Sequence, residues 1–132
     1  MKPNPIISAL ILFSTLAATQ AALSVKVDEP TAAGTKAIVK LTMKNNWTNA
    51  VQSARAAVFV FDDAGKVVGQ KAEWVIGGTR ARPGLAADAT ATFNVVVGVD
   101  KPFKSAQVTF MRIILENGQI IDAGQGYAIE KK

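Results

Sequence analysis

The sequence predicts an all-β protein, an antiparallel immunoglobulin-like β-sandwich of seven to eight strands, and three observations carry that expectation. Apolar and polar residues alternate with a period of two in one segment after another. No stretch carries a long 3.6-residue stripe. Gly, Asn, Asp and Pro punctuate the segments at short intervals. A period of two sends successive side chains to opposite faces of an extended chain, so each segment offers one face to a core.

Residues 1–21, MKPNPIISALILFSTLAATQA, stand outside this pattern. Lys2 precedes an apolar run from Ile6 to Leu16 relieved only by Ser and Thr, and small residues Thr19 and Ala21 follow at the −3 and −1 positions of a cleavage site. This is the pattern of a signal peptide cut after Ala21. The run is shorter than the ~20 residues a spanning helix requires, so cleavage rather than anchoring is expected. The expected organisation is a signal peptide over 1–21 and a single β-sandwich domain over 22–132, exported in soluble form to the periplasm or the medium with no membrane anchor after cleavage.

Leu23, Val25 and Val27 alternate with Ser24 and Lys26 to give a half-buried first strand, which Pro30 ends. A turn is expected over Thr31–Gly34. Ala37, Val39, Leu41 and Met43 then alternate with Ile38, Lys40, Thr42 and Lys44 as the second strand, closed by a loop over Asn45–Asn49. The third strand, Ala54–Phe61, is apolar on both sides, with Ala56, Val58 and Val60 on one and Ala57, Phe59 and Phe61 on the other, so a central position is expected. Asp62-Asp63-Ala64-Gly65 makes a hairpin turn, because Asp can bond the local backbone and Gly accepts positive φ without penalty. The fourth strand runs from Lys66 to about Ile76, with Val68, Ala72, Trp74 and Ile76 expected on the core side and Lys71 and Glu73 opposite. Gly77–Asp88 is irregular. Ala91, Phe93, Val95 and Val97 face one way in the fifth strand, and Gly98–Phe103 ends it. The sixth, Ala106–Leu115, is apolar on both faces except at Arg112. Asn117-Gly118 is a strong type I′ hairpin signal, Gln119–Ala123 pairs back as a seventh strand, and a last short segment holds Tyr127 and Ile129.

Composition narrows the chemistry. The chain has neither His nor Cys, which excludes Ser-His-Asp and Cys-His nucleophile systems, the usual zinc ligand sets and any disulfide. After removal of Lys2 the domain carries fourteen basic and ten acidic side chains, a mild excess. These bases are scattered, clustered only at Arg80/Arg82 and Lys131-Lys132, without the interleaved aromatics of a nucleic-acid surface. No nucleic-acid partner, cofactor or metal is expected. Asp62-Asp63 lack the spacing of a calcium loop and read as turn chemistry. Lys104-Ser105 reads as the start of a strand.

The segments KLTMKNNW, VQSARAAVFVFDDAGKVVGQ and RPGLAADATATF follow one another between Lys40 and Leu115. In this order the chain resembles the FxLYD-type domain of exported bacterial proteins. There, a strand ending in Asn-Asn precedes a valine-rich strand closed by an aromatic and Asp, a Gly-Lys-Val-Val-Gly hairpin and a Pro-Gly turn. Val58, Val60, Phe61 and Asp62 stand where the name-giving Phe, Leu, Tyr and Asp would fall. The resemblance implies an immunoglobulin-like sandwich and no catalytic residues.

Two kinds of site are open to such a chain. Phe59 and Phe61, with Met111 and Ile113 on the sixth strand, suggest a second apolar surface, which either marks a partner site or is covered by the 77–88 loop and the terminal segment. Trp47 in its polar loop, with Arg80 and Arg82, offers loop contacts for a carbohydrate or envelope polymer. Arg112 poses a separate problem: if Val108 and Phe110 face the core, strict alternation buries it, unless a bulge turns it outward. The expected function is a non-catalytic binding or assembly module of the cell envelope, engaging another envelope protein or itself. Carbohydrate binding is the alternative.

Overall fold

Each of the eight expected segments forms a strand, and one further short strand joins them. The computed structural model describes residues 22–79 and 82–130. The signal-peptide reading of residues 1–21 and the expected role of Arg80 lie outside the described residues. The strands are β1 (Leu23–Val27), β2 (Thr31–Ala33), β3 (Lys36–Asn45), β4 (Val51–Phe61), β5 (Val67–Ile76), β6 (Thr90–Gly98), β7 (Ser105–Leu115), β8 (Ile120–Ile121) and β9 (Tyr127–Glu130). The strand count exceeds the expectation because Thr31–Ala33 pairs with Lys36–Ile38 instead of turning, and the reversal is confined to Gly34 and Thr35.

Two sheets result. In the first, β3 is flanked by β6 on one side and by β1 and β2 on the other, with β9 beyond β1; the second runs β5–β4–β7–β8. All pairings are antiparallel except β1 with β9, which is parallel. The fold is therefore an all-β, two-sheet sandwich. Alternation decides its core: Val39, Leu41 and Met43 of β3, Val95 and Val97 of β6, Ala56, Val58 and Val60 of β4 and Phe110 of β7 are all buried between the sheets. Full burial of such an aliphatic or aromatic side chain contributes about 1.5–3 kcal/mol.

The sheets close on each other along one edge where β5 meets β6. Gly69 makes this approach possible, since a Cβ there would lie 2.4 Å from the Gly98 carbonyl oxygen and 2.8 Å from Val99 Cγ1. At the other edge the chain leaves β8 in one sheet and enters β9 in the other.

Four register shifts interrupt the second sheet, the first between Val51 opposite Leu115 and Ser53 opposite Ile114, which leaves Gln52 extra. Along β4 and β7, Arg55 stands opposite Arg112 and Ala56 opposite Phe110, so Met111 is an extra residue, a β-bulge. Along β4 and β5, Ala54 pairs with Ile76 and Arg55 with Trp74, leaving Val75 extra, while Val60 pairs with Gly69 and Phe61 with Val67, leaving Val68 extra.

Candidate functional site

The bulges decide what each face of the second sheet presents. Phe110 points inward, Met111 and Arg112 both lie outside, and inward alternation resumes at Ile113. Arg112 thereby reaches solvent without any buried charge. The same insertion overturns the expected place of Ile113: it is 1% exposed, a core residue beside Leu115, and takes no part in an outer surface. Trp74 is a second correction. With Val75 inserted, Trp74 follows Arg55 to the outer side and is only half-buried, while Lys71 and Glu73 stand opposite the inward Val58 and Ala56. Without the two bulges the expected faces of β5 would have been the observed ones.

Phe59, Phe61 and Met111 do share the outer face of the second sheet. Phe59 and Phe61 are half-buried, Met111 is 42% exposed, and at the margins Val67 beside Phe61 and Ile120 on β8 are 51% and 57% exposed. Ala57, Phe59, Ala72 and Met111, with Gln70 and Lys71, line a shallow depression on this face. The opposite outer surface, on the first sheet, has a different chemistry. Ser24, Lys26, Lys40, Thr42, Lys44, Thr90, Thr92 and Asn94 pair across its strands, and Lys44 reaches Asp88 at 3.7 Å.

The loop residues are engaged within the fold. Asn45 is completely buried: its Nδ2 donates to the carbonyls of Asn49 and Leu85, both at 3.0 Å, and its Oδ1 accepts from the Trp47 amide at 2.8 Å. Trp47 is thereby folded back over the sheet end, half-buried against the core and close to Gly126 at the β8–β9 edge. Arg82 sits at the other edge. Its guanidinium stacks 4.8 Å from the Phe93 ring centroid and donates to the Trp74 carbonyl. Trp47 and Arg82 are therefore not brought together into one surface, and both are occupied by neighbours of their own chain.

The paired carboxylates make a turn. Asp62 Oδ1 accepts from the amides of Ala64 and Lys66, each at 2.9 Å, and the Lys66 amide above all, then that of Ala64, holds its carboxyl below the ordinary value of 3.8. Lys104 and Ser105 lie exposed at the start of β7, where the Lys104 amide donates to the Phe61 carbonyl.

No protein-family model and no curated protein matches the chain by sequence. Solved structures resemble it in fold. A Northeast Structural Genomics Consortium target aligns at TM-score 0.57 and 16% identity over 79% of this chain and 82% of its own. The putative ApaA protein from Bordetella pertussis aligns at TM-score 0.53 and 17% identity over 75% and 84% of the two chains. IrmA from Escherichia coli aligns at TM-score 0.53 and 9% identity over 83% and 91%. At these identities the likeness is one of fold.

Proposed function

We propose that this chain is a non-catalytic, exported binding or assembly module that engages another protein of the cell envelope through the outer face of its second sheet. The observation behind the reading is the contrast between the two outer faces. One is mainly Lys, Thr, Ser and Asn with a single apolar pair, Ile38 and Val96, whereas the other places Phe59, Phe61 and Met111 together with Val67 and Ile120 at its margins. Water is excluded from such an apolar face at a gain of about 25 cal/mol per Å² when a partner covers it. Export rests on the amino-terminal pattern of residues 1–21, and the FxLYD-type resemblance, which brings no catalytic group, fits the same role. Envelope-polymer binding by Trp47, Arg80 and Arg82 has less support, because Trp47 and Arg82 are each packed within the fold at opposite edges.

Phe59→Lys and Met111→Lys test the proposal. Both side chains lie outside the buried core, so each variant should unfold within a few degrees of the parent while its cross-linked yield with envelope proteins falls about tenfold or more. Folded variants that retain the parent's cross-linking profile would overturn it.

A further inference from the structure

The β4–β7 register makes Arg55 and Arg112 direct cross-strand partners on the outer face, and the Met111 bulge is what brings Arg112 to that face. Like charges directly opposed across a ladder destabilise it, and an anion between them removes that penalty. Among the described residues no carboxylate does so: even Asp122, next in the β7–β8 register to Arg112, forms no ion pair with it. Among the described residues neither arginine has an acidic group within ion-pair distance, the ion pair present being Lys44–Asp88 on the first sheet. Glu73 is the one acidic residue in β4, β5, β7 and β8, and it stands opposite the inward-facing Ala56. Arg55 also lies 6.0 Å from the Trp74 ring centroid, an aromatic wall that orients its fork and lowers local hydration.

We infer that this pair receives a carboxylate from the partner, so that the partner is an acidic-apolar extended segment of another protein; the inference rests on the reading of this face as the binding surface. Arg55 and Ala57 are successive outward positions on β4, roughly 6.6 Å apart at the usual strand rise. An extended segment lying along β4 repeats at that same interval on each of its own faces. With an Asp or Glu over Arg55 and Arg112, its side chain two residues away falls over the depression lined by Ala57, Phe59 and Met111. Arginine forks bind carboxylates by two parallel hydrogen bonds, which fixes the segment's register as well as its charge. A second copy of this chain is a poor occupant. A twofold pairing of this face with itself would oppose arginines to arginines, with no outward carboxylate in β4, β5, β7 or β8 to meet them.

The test is selection of random short peptides on the immobilised domain, on its Arg55→Gln/Arg112→Gln variant and on Phe59→Ser. Removing two opposed charges from the outer face, where Arg55 is half-buried and Arg112 exposed, should leave the melting temperature unchanged or raise it, which separates binding from folding. Enriched peptides should carry Asp or Glu two residues from an apolar side chain. The synthetic peptide should bind the double variant about tenfold to a hundredfold more weakly by fluorescence anisotropy, and its Asn or Gln counterpart should show the same loss on the parent. Enriched peptides without a carboxylate, or equal binding by the double variant, would overturn the arginine assignment while leaving the face intact, provided Phe59→Ser abolishes capture. Enrichment undiminished on Phe59→Ser would sink the face itself, and no enrichment at all would overturn both. Co-sedimentation with phosphatidylglycerol vesicles that is lost in the double variant, or self-association of the parent in ultracentrifugation, would replace the peptide partner with a lipid surface or a second copy.

Discussion

Asn45 shows how much one polar side chain can hold together. It occupies the inward position after Ala37, Val39, Leu41 and Met43, where alternation calls for another apolar residue. Its amide instead satisfies the Asn49 and Leu85 carbonyls and the Trp47 amide, so the loop after β3 and the distant Leu85 segment meet on one buried group. Asn45→Ala strands those partners and leaves a void, and should cost about 2–4 kcal/mol in urea denaturation. Asn46→Ala is the control. Asn46 is exposed and donates to Ser24 Oγ, and its loss should change stability by about 0.5 kcal/mol or less. The sequence places both asparagines in a loop because Asn favours turns. Period-two counting reaches Asn45 correctly, but local propensity obscures it, and only the Leu85 carbonyl, forty residues away in the chain, explains why the position is an amide.

At the level of the strand, single inserted residues govern which side chains a partner can touch. The faces of β3, β6 and β4 from Ala54 onward were legible from alternation alone, since their inward residues follow it without a break. The faces of β5 and β7 were not, because Met111, Val68 and Val75 each shift the phase by one position and a one-residue slip exchanges the two faces. Arg112 was the visible symptom. A charge in an otherwise apolar strand pointed to a bulge, yet the bulge also carried Ile113 into the core, which the isolated symptom did not reveal. Deletion of Met111 tests this reading. The ladder then runs Phe110, Arg112, Ile113 with inward, outward and inward alternation preserved, so the variant should keep a cooperative thermal transition by circular dichroism. Deletion of Thr109 instead brings Phe110 outward and puts Met111 in its place in the core, and should lower the midpoint of that transition well below that of the Met111 deletion.

For the molecule as a whole, the sandwich and its approximate strand count followed from short alternating segments and their turns, whereas the candidate site depended on pairing between strands distant in sequence. Arg55 and Arg112 are adjacent only because β4 and β7 are neighbours, and nothing local to either residue announces the other. The seam between the sheets is equally non-local. Gly69 admits the Gly98 carbonyl at a distance that no side chain allows, so Gly69→Ala must part β5 from β6 and should destabilise the domain by about 1–3 kcal/mol in chemical denaturation, with the outer-face chemistry untouched. The remaining edge has a mechanical consequence. Because β1 and β9 run in parallel from Leu23 opposite Tyr127 to Lys26 opposite Glu130, the chain enters the ladder at one end of the sandwich and leaves it at the other. Tension applied between Leu23 and Glu130 would pull the two strands along their length, loading their hydrogen bonds together in shear and not opening them one after another, so a protein strung between two anchors by these strands would meet force with its strongest geometry.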